Sequence, residues 1–134
     1  MQTDEDVKIQ IREILERFNH LVSTKNLQVV EEFAIGDEAL LIGSEAGEIA
    51  AGRKEIEAFF NRVYARQEFF SWEWERMDAW NVGNVAWLFA DGQVVLSSGK
   101  EQRRTPYRIT GVLEYQDGHW LWRQYHGSEP VTGE

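Results

Sequence analysis

An α+β fold is predicted for this chain of 134 residues by the order in which its hydrophobic period changes. Apolar residues recur three and four apart before about Gln67, the spacing of helix faces, and two apart after Phe70, the spacing of strand faces. No internal repeat, low-complexity segment or linker interrupts that order. The reading is therefore a single domain over residues 1–134, with only its ends, particularly Glu129 to Glu134, expected to fray.

Between Asp4 and Lys25, the residues Val7, Ile11, Ile14, Leu15, Phe18, Leu21 and Val22 form one helical stripe. Thr3 is placed to cap it, and Asp4, Glu5 and Asp6 put negative charge where the helix dipole favours it. After the break at Thr24-Lys25-Asn26, a second helical run, Leu27 to Phe33, is closed by Gly36. Ala39 to Ile42 is a short strand, turning through Glu45-Ala46-Gly47-Glu48 and returning through Ile49 and Ala50. Gly52 opens a third helix with Ile56, Phe59, Phe60 and Val63 on one face, ending near Gln67. Phe70, Trp72 and Trp74 then alternate with Ser71, Glu73 and Glu75, so the aromatic face is the candidate for burial. Turn signals at Asn81 to Asn84, Ser97 to Lys100 and Asp117-Gly118 separate the strands Val85–Leu96, Arg104–Tyr115 and Trp120–Ser128 in an antiparallel meander.

The net charge of −9 repels phosphate backbones and anionic membranes, which disfavours nucleic-acid and lipid-surface roles. The absence of cysteine removes disulfides, thiolate metal sites and cysteine nucleophiles. Met1 to Asp6 are polar and acidic, and no stretch is long and apolar enough to span a bilayer, so a cytoplasmic protein is expected.

Gly52-Arg53-Lys54-Glu55-Ile56, the strand Gly83 to Trp87, and Asp117-Gly118-His119-Trp120 through Tyr125-His126-Gly127-Ser128 together resemble the SnoaL-like, nuclear transport factor 2-like family over nearly the whole chain. The last segment is also similar to the end of the association domain of calmodulin-dependent kinase II. The resemblance implies a cone-shaped, cystatin-like roll: three N-terminal helices packed on a strongly bent mixed sheet, with a pocket between them. It does not fix an activity, because the fold carries several chemistries. Laid against the ketosteroid isomerases of that fold, the general-base aspartate falls on Gly43, the oxyanion tyrosine on Phe18, a second tyrosine on Phe60 and the protonated acid on Gly111. Each change removes a base, donor or acceptor, so isomerase chemistry by that route is not expected. The pocket arginine of the kinase domain also maps to Gly111.

By the same correspondence, Phe18, Leu41, Phe60, Trp87, Phe89, Tyr107, Ile109 and Tyr125 line the pocket, which takes a small apolar or aromatic ligand unless those rings fill it. Gly43 and Gly111 would each take volume out of the pocket wall. His126, Asp91 and Tyr107 are the candidates for chemistry. His126 shares a face with Trp122 and Gln124 by simple alternation, whereas the isomerase correspondence turns Tyr125 inward instead, and both readings stay open. Asp91 is in phase with Trp87 and Phe89 but precedes Gly92, a turn signal. Glu73 and Glu75 read as a solvated strand face. Lys100 and Arg103 read as a solvated hairpin tip, while Arg104 stands beside them and Arg108 is better placed for an ion pair. His20, His119 and His126 lack metal-ligand spacing, and no phosphate loop or nucleophile elbow is present, so neither a metal nor a nucleotide cofactor is implied.

Two classes of function follow: a small-molecule-binding domain, or a lyase, cyclase or hydrolase using His126. An assembly module is a third. Aromatic residues expected on the outer sheet face, among them Trp74, Trp80, Trp120 or Trp122, point with the resemblance to a homodimer through that face.

Overall fold

The computed structural model describes residues 4–34, 36 and 38–131. Helix α1, Asp4–Ser23, buries Val7, Ile11, Ile14, Leu15, Phe18, Leu21 and Val22, the whole stripe that its period picks out. Thr3, the expected N-cap, lies outside the described residues. At the other end the chain closes the helix without glycine. Lys25 takes a left-handed conformation with φ of 54°, Asn26 N donates to Leu21 O (2.9 Å) and Lys25 N to Val22 O (3.0 Å), which satisfies the last carbonyls in a Schellman pattern.

The second predicted helix is a correction. Leu27–Glu32 forms a 3₁₀ helix of 6 residues, so the described residues hold two α-helices and one 3₁₀ helix rather than three comparable helices. Asn26 caps it by accepting from Gln28 N at 2.9 Å, and Phe33 is already extended and bridges to Trp122 in the sheet. A segment this short, carrying the adjacent β-branched pair Val29-Val30, gains little from α-helical bonding before the sheet captures its end. Its buried Glu32 is held by Arg17 Nε at 3.0 Å.

Strands β1, Leu40–Ile42, and β2, Ile49–Ala51, form the short hairpin, and helix α2 follows as Gly52–Tyr64, burying Ile56 and Phe60. The meander is β3, Phe69–Val82; β4, Val85–Ser98; β5, Glu101–Gln116; and β6, His119–Ser128. Asp117 and Gly118, both left-handed (φ 50° and 85°), make the tight turn between the last two, which suits the twist of a hairpin. One six-stranded mixed sheet results, in the order β2-β1-β6-β5-β4-β3, with β1 parallel to β6 and every other pair antiparallel. Helix α1 packs on β3, and the core lies between the helices and one face of the sheet.

Two bulges decide which side chains reach that core. The register of β3 against β4 shifts between Trp74 and Arg76, and that of β6 against β5 shifts at Arg123, between Trp122 and Gln124. Each extra residue reverses the in–out phase of everything beyond it. Phe70, Trp72 and Trp74 therefore pack against the core before the first bulge, while Trp80 beyond it lies 43% exposed on the outer face. On β6, Trp120 and Trp122 are buried before the second bulge, and Tyr125 and Gly127 are buried after it. The expected outer positions of Trp74, Trp120 and Trp122 are thus corrected, and Trp80 is the member of that group that does face outward.

Candidate functional site

A cavity of about 360 Å³ lies between α1, α2, the β1–β2 hairpin and the inner face of β3 to β6. Its apolar wall is aromatic. Phe18, projecting from α1, stacks on Tyr125 from β6 with centroids 5.3 Å apart, stands 5.8 Å from Trp72 of β3, and meets Phe60 of α2 edge-on at 6.3 Å. These rings come from four elements and hold one another in offset and edge contacts, which fixes the wall without polar bonds. The Trp72 indole N–H is buried without a partner among the described residues, while the Trp72 backbone is tied to α1 by Asn19, which donates to Trp72 O at 3.0 Å and accepts from Trp72 N at 2.9 Å.

Toward the hairpin the wall turns polar. Tyr125, 4% exposed, stands beside Tyr107, 7% exposed, and Ser44 lines the cavity next to them. Ser44 Oγ donates to Glu129 Oε2 at 3.1 Å. Burial pushes both phenols above the ordinary tyrosine range; Tyr107 and the charge of Glu48 add to the rise at Tyr125, whereas Ser44 and Tyr125 draw Tyr107 back. Both are neutral hydroxyls near pH 7.

Two glycines make room for this end. A Cβ on Gly127 would lie 2.0 Å from the Tyr107 hydroxyl, and a Cβ on Gly43 would lie 2.2 Å from Glu48 Oε1. Gly43 and Glu48 face each other across the hairpin, where Gly43 N donates to Glu48 O at 2.8 Å, so their side chains share a face. Hence the Glu48 carboxylate occupies the space that a side chain at position 43 would fill. Its Oε1 accepts from Glu45 N at 3.1 Å.

Of the residues expected at the pocket, Phe18, Leu41, Phe60, Tyr107 and Tyr125 line this cavity. Ile109 is buried in the core but does not line it. Trp87 and Phe89 are corrections: they lie on the outer face, stacked on Trp80 at 6.5 and 6.2 Å, with Trp87 43% exposed. The inner face of β4 belongs instead to Ala86, Leu88 and Ala90, and the small alanines leave room for the helix layer. Asp91 shares the outer phase and pairs with Arg108 at 3.3 Å, with both side chains solvated, so the pair is worth under about 1 kcal/mol. His126 is exposed on the outer face opposite Thr110, because the bulge at Arg123 turns Tyr125 inward.

Gly111 is also corrected as a source of pocket volume. A Cβ there would meet the Trp122 ring at 2.4 Å, so the indole fills that space. Arg103 lines the cavity rather than standing free of it, whereas Arg104 binds Glu73 at 3.1 Å. Glu48, read from the sequence only as a turn residue, and Ser44, which carried no signal there, are contributors to the polar end that sequence reasoning missed. Among the described residues no group of three or more His, Asp or Glu is arranged to hold a metal ion, and no helix is long and apolar enough to cross a membrane.

Residues 11–132 match the family model described as the SnoaL-like domain. Among solved structures, an NTF2-like protein of unknown function from Pseudomonas putida superposes with a TM-score of 0.82 at 16% identity, covering 99% of this chain and 93% of that one. A proposed calcium/calmodulin dependent protein kinase II association domain from Xanthomonas campestris gives 0.79 at 18% identity, covering 98% and 91%. A protein of unknown function with a cystatin-like fold from Nostoc punctiforme gives 0.74 at 16% identity, covering 97% and 95%. At these identities the likeness is one of fold. No curated protein matches the sequence.

Proposed function

This chain belongs to the SnoaL-like domain family, and we propose that within it the domain binds one small, largely apolar organic molecule in the cavity between sheet and helices. The observation that carries this reading is the cavity itself: about 360 Å³ left open beneath the ring cluster of Phe18, Phe60 and Trp72, a size that encloses a small organic molecule. The positions that align with isomerase machinery, Phe18, Gly43 and Phe60, line it without a base or hydroxyl of their own, and Gly111 lies under Trp122. His126, on the outer face, cannot act on a molecule held inside, so the reading is of binding. A cytoplasmic location and a single domain over residues 1–134 remain part of the proposal.

Ethylbenzene is a suitable probe, followed by calorimetry. Leu96, half-buried on the cavity wall, can be enlarged to fill the space. Wild-type protein is expected to bind ethylbenzene, and Leu96→Trp to weaken that binding by at least about ten-fold while keeping its circular dichroism. Absence of binding by the wild type, or equal binding by a folded Leu96→Trp variant, overturns the reading.

A second reading concerns assembly. Trp80 and Trp87, each 43% exposed, stack on each other, with Phe89 stacked on Trp80, and stand on the outer face near Val82 and Val85, which are also exposed. Contiguous apolar surface of this kind supports a homodimer through that face. Light scattering at micromolar concentration is expected to return twice the chain mass, and the double substitution Trp80→Glu, Trp87→Glu to return the chain mass. A wild-type monomer removes the proposal.

A further inference from the structure

The groups at the polar end of the cavity restrict what can bind there. Ser44 has one hydroxyl proton, and it goes to Glu129 Oε2. Beside it the Tyr107 and Tyr125 phenols stand on the cavity wall, with the Tyr107 hydroxyl over Gly127.

Each phenol oxygen can offer a lone pair to the cavity. Glu48 adds a carboxylate that can only accept, with Oε1 taken by Glu45 N and Oε2, among the described residues, without a hydrogen-bond partner. Among the described residues, neither Glu48 nor Glu129 has a Lys or Arg within ion-pair distance. Two cations do line the cavity. Arg66 pairs with Glu45 at 3.6 Å, and Arg103 lies four residues from Tyr107 along β5, a separation of roughly 13 Å. This end thus sets the Glu48 carboxylate and two phenol oxygens beside aromatic faces, without a cation bonded to Glu48 or Glu129 among the described residues.

We propose that the molecule bound in this cavity is an organic amine in its protonated form, its ammonium group on Glu48 and the Tyr107–Tyr125 oxygens and its apolar body against Phe18, Phe60 and Trp72. Ammonium has three donors and no acceptor, which complements the three acceptors here, and a charge-assisted bond to a carboxylate is the strongest kind available. Aromatic faces stabilise the same charge. A carboxylate ligand is disfavoured at this end, since it would meet the like charge of Glu48. The inference rests on the cavity-binding reading and names the class of its ligand.

Three probes of one shape separate the two ideas: 2-phenylethylammonium, neutral ethylbenzene and 3-phenylpropionate, titrated by calorimetry at pH 7.5 against wild type and Glu48→Gln. The ammonium is expected to bind at least about ten-fold tighter than either other probe, and Glu48→Gln to remove that advantage while leaving ethylbenzene within about two-fold. Ethylbenzene binding as tightly as the ammonium, 3-phenylpropionate binding tightest, or ammonium affinity unchanged in a folded Glu48→Gln variant each overturns the inference and leaves cavity binding standing. Failure of all three probes to bind overturns both.

Discussion

Replacing Trp122 with alanine is expected to lower the free energy of unfolding by about 4 kcal/mol, the cost typical of deleting a large buried ring. Trp122 is fully buried on β6, 5.7 Å from Phe18 and 5.3 Å from Tyr125, and its indole fills the space above Gly111. Several elements lose contacts at once when it goes, and the surrounding rings cannot collapse into the hole without giving up their own geometry. The hydrogen-bond balance makes a second substitution informative. Trp122 Nε1 is buried without a partner among the described residues, a state that costs about 1–3 kcal/mol relative to a satisfied donor. Trp122→Phe removes that donor while keeping most of the ring, so it is expected to cost only about 1 kcal/mol. Chemical denaturation of both variants gives the comparison directly. Equal losses for Phe and Ala would mean that the indole's second ring, rather than its bulk against Phe18, holds the layer together.

The same residue shows what the sequence could and could not reveal. The α1 stripe was legible because a helix repeats its face without interruption, and all seven stripe positions from Val7 to Val22 are buried. The order of strands and their turns was legible for a similar reason: Asp117-Gly118 and the other turn residues punctuate long alternating runs. Phase was not legible. Alternation assigns faces only until a bulge, and the extra residues near Glu75 and at Arg123 reverse it midway through β3 and β6. On β4, no bulge intervened, but aromatic Trp87 and Phe89 compete with Ala86, Leu88 and Ala90 for the inner face. Size suggests the rings, whereas the helix packed above requires small residues. The carboxylate of the cavity was hidden by a different effect. Position 43 carries glycine, and the group that occupies its space belongs to Glu48, five residues away in sequence and opposite it across a hairpin whose register only the folded chain displays.

Gly127 provides the sharpest test of the polar end. Its missing side chain is what lets the Tyr107 hydroxyl lie where it does, since a methyl group on Gly127 would stand only 2.0 Å from Tyr107 Oη and 2.8 Å from Cζ. Tyr107 is 7% exposed and packed 6.1 Å from Trp72, so it has little freedom to yield. Gly127→Ala is therefore expected to cost about 2 kcal/mol through overpacking. Steric origin can be distinguished from backbone origin by a double-mutant cycle. Tyr107→Phe removes the atom that clashes first, so adding Gly127→Ala in that background should cost about 1 kcal/mol less than it does in the parent. Strict additivity would place the cost in the β6 backbone instead. A coupling of that size would locate the contact between β5 and β6 at the Tyr107 hydroxyl, one of the phenol oxygens that the cavity presents beside Glu48.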